Sequence, residues 1–455
     1  MSPNFKQTDI GSIPDDWEVI HLDEEDYFET LNGLWKGKKA PFVKINVLRN
    51  TNFTNSGKLD YSDVAELDVE IKQYEKRKLL CGDIIIERSG GGPTQPVGRV
   101  VFFDKPNGEF SFSNFTSTLR VKKPEEIHHK FLFYSLLSFY FSGRTYALQG
   151  RTTGIRNLDF NKYKTTAGIP KLPFSEQCKI AHILSKIQQA IEKQEQIIKT
   201  TQELKKALMQ KLFTEGVNNE PQRQSVIGGE IGLIPKSWEV VTINEILSEE
   251  LKNGAFIKSP EYGVGHLFVN VVDIYRNAIL NISLLARINV NISEIEKYLL
   301  QKNDIVFVRS SLKRDGIGES CLILGCDEPL FFDCHLIRIR PDTTKIDPLY
   351  LVYFWRSPTG KKELIKRSKT TTMTTINQQN LSNALFPLPS LSVQKEISII
   401  LSSLDTKIEF HNKNKTQLQD LFKTMLTQLM SGQLRVKDID LSALADLKVP
   451  SREGI

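Results

Sequence analysis

Two stretches of this chain place their apolar residues at alternating spacings of four and three. In the first, the positions are Ile180, Leu184, Ile187, Ile191, Gln194, Ile198, Thr201, Lys205, Leu208 and Leu212. In the second they are Ile397, Leu401, Leu404, Ile408, His411, Lys415, Leu418, Phe422, Met425 and Leu429, each 217 residues later. Both stripes are apolar at their ends and polar near the middle, and both are sustained over about five heptads. Gly216 and Gly432 stand where a helix C-terminus is expected, and no proline interrupts either run. The pattern predicts two helices of about 38 residues, roughly 57 Å each at 1.5 Å per residue. A seam this narrow suits an antiparallel coiled coil of the two better than two separate surface helices, whose apolar faces are wider.

Upstream of each stripe the periodicity changes. Short runs rich in β-branched and aromatic residues, punctuated by Gly, Asn and Pro, predict strands at 42–48, 83–86, 99–103 and 117–121. The matching runs are 268–274, 304–308, 321–324 and 336–339, and segments 127–142 and 346–356 read as helices. Asp347 is placed to cap the latter, with Pro348 in its first turn. Each half is therefore expected to be a mixed α+β globule of roughly 160–170 residues.

The two halves are copies. Ile10-Gly11-Ser12-Ile13-Pro14 and Trp17-Glu18-Val19 return as Ile231-Gly232-Leu233-Ile234-Pro235 and Trp238-Glu239-Val240, at an offset of 221. Asp83-Ile84 and Arg88-Ser89 return as Asp304-Ile305 and Arg309-Ser310. A period this long exceeds the ~20–50 residues of solenoid units, so it marks a duplicated domain plus connector. The expected organisation is domain 1 at 1–173, helix 1 at 174–217, domain 2 at 218–390, helix 2 at 391–432 and a tail at 433–455. An antiparallel helix pair would give the whole a pseudo-two-fold symmetry.

A 40% hydrophobic content supports packed cores, and a net charge of +6 permits a nucleic-acid partner without requiring one. The five cysteines (81, 178, 321, 326 and 334) are unmatched between the halves, which argues against a disulfide framework. Cys321, Cys326, Cys334 and His335 lie close together but lack a CxxC knuckle, so thiols on strands are preferred to zinc. No metal site is expected. The acidic, non-apolar N-terminus does not read as a signal peptide, and the apolar stretch 131–141 is about half of what a membrane span needs. A cytoplasmic protein with no membrane association is expected.

Catalytic candidates fail the comparison of the two copies. Asp347-Pro348-Leu349-Tyr350 resembles the Asp/Asn-Pro-Pro-Tyr loop of amino-methyltransferases, but its counterpart is His128-His129-Lys130-Phe131. Asp83 and Glu87 suggest a nuclease strand, but Val308 replaces the glutamate in the second copy. Gly263-Val264-Gly265 and Gly90-Gly91-Gly92 lack the residues of a dinucleotide or phosphate loop. No catalytic residue and no cofactor is expected on this chain.

What recurs is polar, basic and predicted to lie on loops. Arg88, Ser89, Thr94 and Gln95 follow one strand and Arg144, Arg151 and Arg156 follow the helix. In the second half the sets are Arg309, Ser310, Lys313 and Arg314, then Lys366, Arg367 and Lys369. Such side chains contact phosphates and base edges. The scaffolds agree while the loops diverge, which suits two modules reading different DNA sequences.

Two α+β domains each followed by a long helix, the Ile-Pro-x-x-Trp-Glu openings, Gly82-Asp83-Ile84, and Leu172-Pro173 with Gln177 together resemble the specificity (S) subunit of Type I restriction–modification systems. The second copy departs in having Asn303 in place of the glycine, with Leu388-Pro389 and Gln394 at its helix start. The resemblance implies a non-catalytic subunit that recognises a bipartite, asymmetric site on double-stranded DNA. It also implies two modification (adenine methyltransferase) subunits docked on the helices and restriction (translocase/nuclease) subunits beside them. S-adenosylmethionine, ATP and Mg would be carried by those partners. The rival readings are a methyltransferase or nuclease with its own active site, or a coiled-coil scaffold that binds only protein.

Overall fold

The computed structural model describes residues 4–437 except 36, 38, 93–94, 107, 153–154, 228–229 and 258–260. Most of the expected tail at 433–455, from 438 onward, lies outside the described residues. The chain divides into unit 1, residues 1–193 with 414–455, and unit 2, residues 194–413.

Unit 1 is organised by an antiparallel sheet in the order Phe28–Asn32, Thr116–Val121, Ile84–Glu87, Val100–Phe102. The strand Ile84–Glu87 is buried on both faces, and its alternation decides which core each side chain enters. Ile84 and Ile86 pack with the helix His129–Phe141, whereas Ile85 joins Leu48, Phe103 and Phe112 on the other side. A second sheet orders Phe110–Phe112, Phe42–Leu48 and Ala65–Glu70.

Unit 2 repeats the plan with Leu247–Asn253, Leu336–Pro341, Ile305–Val308 and Ser320–Leu322. Ile305 and Phe307 face one cluster; Val306 and Val308 face another. The strand expected at 268–274 is corrected here. Tyr262–Val269 is the strand, and Val271–Ile274 is a short helix whose capping box joins Asn270 and Asp273. Asn270 accepts from and donates to the first turn, which stops the extended run despite its β-branched valines.

The aspartate before each buried strand is structural. Asp83 accepts the Leu80 N–H at 2.8 Å and a two-pronged pair from Arg120 at 2.9 and 2.8 Å. Asp304 accepts the Gln301 N–H at 2.7 Å and Arg340 at 2.7 and 2.9 Å. The Asp304 hydrogen bond holds the Arg340 guanidinium above its ordinary pKa, although burial opposes this.

Two long helices, Phe174–Glu215 and Leu391–Met430, occupy the two stripes. Each is tied to a globule by one glutamine. Gln177 accepts the His128 N–H at 2.9 Å and donates to the carbonyls of Glu126 and Leu172 at 2.8 and 3.0 Å. Gln394 does the same for Asp347, Lys345 and Pro389 at 2.7, 3.3 and 2.7 Å. Seam positions Ile180, Leu184, Ile191, Ile198, Leu212, Ile397, Leu401, Phe422 and Leu429 are buried. Ile187, Leu208, Leu404, Ile408, Leu418 and Met425 are only partly so. Ala181, Met209, Phe213, Leu426 and Met430 are buried off the seam, because near the globules the helices pack on a sheet-and-helix core as well.

In unit 2 the two helical segments run antiparallel. Gln194 meets His411 at 2.7 Å, and Lys205, farther along the first helix, meets Asp405, farther back on the second. The polar breaks Gln194, His411 and Lys205 are thus partnered. Lys205 Nζ lies 2.5 Å from Asp405, whose other oxygen accepts the Tyr353 hydroxyl at 2.8 Å. Burial lowers the Lys205 pKa, and the Asp405 hydrogen bond and charge oppose this. The equivalent place in unit 1 is uncharged: Tyr134 donates to Gln188 at 2.9 Å and meets Phe422 edge-on at 6.0 Å.

Both helices stop at a left-handed glycine, Gly216 (φ 71°) and Gly432 (φ 68°). Gly216 abuts Pro235 and Trp238, and Gly432 abuts Pro14 and Trp17. In unit 2 the chain continues from Gly216 into the hairpin of Gln222–Ile227 and Glu230–Pro235. In unit 1 the corresponding hairpin, Phe5–Thr8 with Gly11–Pro14, lies at the other end of the chain. Arg435 secures it by pairing with Asp16 at 3.0 Å and Glu176 at 3.0 Å while lying over the Trp17 ring.

Candidate nucleic-acid interface

The same backbone frame recurs in each unit where the buried strand ends. In unit 1 the Arg88 N–H donates to the Phe115 carbonyl at 2.8 Å, and the Leu158 N–H donates to the Arg88 carbonyl at 2.8 Å. In unit 2 the Arg309 N–H donates to the His335 carbonyl at 2.7 Å, and the Ile376 N–H donates to the Arg309 carbonyl at 2.9 Å. Each arginine therefore stands at one backbone position, locked between a turn and a strand.

The side chains differ. Arg88 Nη1 donates to Asn32 Oδ1 at 2.6 Å, and the guanidinium lies 5.0 Å over the Phe160 ring. Burial lowers the Arg88 pKa. Arg309 Nη1 reaches the Cys334 carbonyl at 3.4 Å, and the buried Asn253 Oδ1, the counterpart of Asn32, has no partner.

Behind each arginine lies a small three-stranded sheet. In unit 1, Ser89–Gly91 pairs with Ile155–Leu158, which pairs with Gln149–Thr152. This gathers Ser89, Arg156 and Arg151, with Arg151 across from Arg156 in register. Ser89 Oγ donates to Asn157 at 2.5 Å and Asn50 donates to the Ser89 carbonyl at 3.0 Å. The expected loop 149–157 is thus a hairpin. Thr94 and the side chain of Arg151 lie outside the described residues. Gln95 lies against Asn55 and Arg99.

In unit 2, Ser310–Ser311 pairs with Thr374–Thr375, which pairs with Lys369–Thr370, so Ser310 and Lys369 come together. An open cleft of about 630 Å³ beside them is lined by Tyr275, Ser310, Lys313, His335 and Lys361. Lys313, Arg314, Lys366 and Lys369 are exposed or partly so. Lys366 and Arg367 are not on a loop, as their sequence context suggests. They form the last turn of the helix Pro358–Arg367, and Arg367 is tied to the buried Glu363 four residues back. Arg144 opens a 3-10 helix, Arg144–Leu148, and lies over Phe139 in an apolar groove with Gly11 and Lys423. The structure does not bring it into the Ser89 sheet.

The two carboxylates of the candidate nuclease strand are both held by arginines. Glu87 is fully buried and held by Arg99 at 2.8 and 2.6 Å, and Asp83 is held by Arg120. Among the described residues, Asp333, Cys334 and His335 place ligand atoms within 4.8 Å of one another, without Cys321 or Cys326. Asp333 Oδ1 is engaged by the His335 N–H at 2.7 Å, and burial pushes the Cys321 thiol up to about 12. No helix among the described residues is long and apolar enough to cross a membrane.

Asn32, Asn50 and the turn 113–115 join the frame without belonging to any motif of the sequence. A signal is nonetheless present in Asn32-Gly33 and Asn253-Gly254, which share the 221 offset. A Cβ on Gly33 would lie 1.8 Å from the Ser113 carbonyl oxygen, and one on Gly254 would lie 2.2 Å from that of Asp333. Only glycine permits the turn to approach so closely.

Residues 14–201 and 235–420 match the Type I restriction modification DNA specificity domain. The chain is 29% identical over 448 residues to the Type I restriction enzyme MjaVIII specificity subunit of Methanocaldococcus jannaschii, covering 96% of this chain and 97% of that one. It is 23% identical over 450 residues to the EcoKI specificity subunit of Escherichia coli, covering 93% and 90%. Its fold is similar to a Type I restriction–modification S subunit from M. genitalium, with a TM-score of 0.56 at 18% identity, covering 94% of this chain and 99% of that one.

Proposed function

The chain belongs to the family of Type I restriction–modification DNA specificity subunits, and on that premise we propose how its two units divide the work. Each unit reads one half of a bipartite, asymmetric site on double-stranded DNA. The observation that carries this reading is the shared frame of Arg88 and Arg309, alike in backbone hydrogen bonds and different in what the arginine side chains contact. A common scaffold with divergent tips is what two readers of different base sequences require. Arg88, Ser89, Arg156, Arg309, Ser310, Lys313, Arg314 and Lys369 are the proposed contacts, with DNA phosphates balancing their cations.

In this reading the two long helices form an antiparallel coiled-coil spacer with near two-fold symmetry, setting the gap between half-sites. Centres about one helical turn apart, ~34–36 Å, can be met from one side of a duplex. The chain itself is non-catalytic. Two modification subunits supply S-adenosylmethionine-dependent adenine methylation, and restriction subunits supply ATP- and Mg-dependent translocation and cleavage. The occupied carboxylates Glu87 and Asp83 support the absence of a nuclease site on this chain.

Co-expression with the cognate modification subunit, followed by genome-wide mapping of methylated adenines, tests the reading. One bipartite motif with a fixed gap is expected. Methylation at a continuous motif, or DNA affinity that is weak and insensitive to salt, would overturn it.

A further inference from the structure

The most exposed aromatic side chains of the two units occupy the same place in the repeat. Trp35 is 68% exposed and Phe256 is 77% exposed, and they are 221 residues apart. Each follows the close-approach glycine by two residues. Leu34 bridges Ser113 and its N–H donates to Phe112, and Ala255 bridges Asp333 and donates to Phe332 in the same way. A single exposed apolar residue needs no explanation. Two large aromatics held outward by one duplicated hydrogen-bond ladder do.

Their neighbours in the sequence favour nucleic acid over protein. Asn32, three residues before Trp35, holds the Arg88 guanidinium. Lys36, Lys38 and Lys39 follow Trp35, and Lys258 follows Phe256. Aromatics interleaved with lysine are the composition of nucleic-acid surfaces, whereas protein-interface cores take up aromatics and shed lysine. Resting on the DNA-reading function above, we propose that Trp35 and Phe256 are aromatic wedges, each inserted against a base step of one half-site. Apolar side chains inserted in this manner unstack a step and kink the duplex. They would thus contribute affinity and sequence-dependent deformability rather than hydrogen-bonded readout.

The chain carries its own reporter. Of its four tryptophans, Trp17, Trp238 and Trp355 are at most 2% exposed, and only Trp35 is open to solvent. The experiment uses the complex of the full chain with its modification subunits and a duplex of about three helical turns bearing the mapped methylation site. Acrylamide quenching is recorded for the wild type and for Trp35→Phe, and the difference isolates Trp35. DNA is expected to remove most of the quenchable component, and Phe256→Trp is expected to install a second component that DNA also removes. Trp35→Ala and Phe256→Ala should each weaken binding by roughly 5- to 150-fold, the range of one base–aromatic stack. If Trp35 becomes shielded when modification subunits bind and DNA adds nothing, the residue is a protein anchor and the wedge is overturned. The wedge is equally overturned if both alanine variants bind DNA as tightly as wild type while methylation still maps to a bipartite site, an outcome that leaves the function standing.

Discussion

Lowering the pH from 7.5 to 5 is expected to destabilise unit 1 through His128. This residue caps the helix His129–Phe141, its Nδ1 accepting the Phe131 N–H at 3.3 Å. Burial, with lesser contributions from the His129 and Lys130 charges, holds its pKa down to about 4 from 6.5. Protonation would replace the accepting lone pair with a donor facing a donor. Because the folded pKa is the lower one, the stability is complete above the unfolded value and is lost as pH falls from 6.5 toward 4. Linkage gives a loss below ~0.1 kcal/mol at pH 7.5, about 0.8 kcal/mol at pH 6 and about 2 kcal/mol at pH 5. The assay is urea denaturation of wild type and His128→Asn at these three pH values. Asparagine keeps a capping oxygen and does not titrate. Other groups cancel in the difference, so wild type should lose about 2 kcal/mol relative to the variant between pH 7.5 and 5. A difference flat to within ~0.5 kcal/mol would refute the argument, since the linkage leaves no other outcome for a buried neutral cap.

Asp304→Ala should cost about 1–3 kcal/mol in urea denaturation, because it leaves the Gln301 N–H without its acceptor and Arg340 held only by the half-exposed Glu249. Replacing both Asp304 and Arg340 by apolar residues should recover most of that, and a single-variant cost under ~1 kcal/mol would contradict the buried-pair account. Arg88→Ala should relax or weaken recognition at one half-site and Arg309→Ala at the other, by about 1–3 kcal/mol each. Methylation mapping that finds uniform loss at both halves, or none, would count against these assignments. Inserting four residues at Gln194 lengthens the helix by roughly 6 Å, close to two base-pair steps. The tolerated gap should change accordingly, and a constant gap would remove the spacer role.

The periodic features are the legible ones. Heptad spacing locates both long helices because their seam is apolar over most of its length. The strand Ile84–Glu87 is visible as a β-branched run between Asp83 and Arg88. Alternating burial cannot be read from that strand, since a run buried on both faces carries no period-2 signal. Val271–Ile274 reads as strand and folds as helix for a related reason: β-branched propensity there yields to a capping box made by Asn270 and Asp273. Among site residues, the arginines that follow a buried strand can be found because the repeat aligns them. Arg367 is not separable from a DNA contact by type alone; its commitment to Glu363 depends on a helix that starts at Ser357-Pro358. Asn32 and Asn50 act through long-range hydrogen bonds to Arg88 and Ser89, which no local pattern encodes.

The contacts of Arg435 and Gly432 with Asp16, Pro14 and Trp17 have a consequence for chain order. In unit 2 the step from long helix to hairpin is a peptide connection, whereas in unit 1 ion pairs and stacking make the same join. Within unit 1, the chain's early and late segments thus meet through noncovalent contacts alone. The compact units are not the sequence halves, since unit 1 is assembled from the beginning and the end of the chain. A gene opened between Gly216 and Gln222, with the original ends fused by a linker, would encode the same contacts in permuted order. Exchanging one linear half for that of a relative, by contrast, would place foreign side chains opposite native ones in both units. Lys205 would then keep its charge partner only if the incoming half supplied an acid at the place of Asp405.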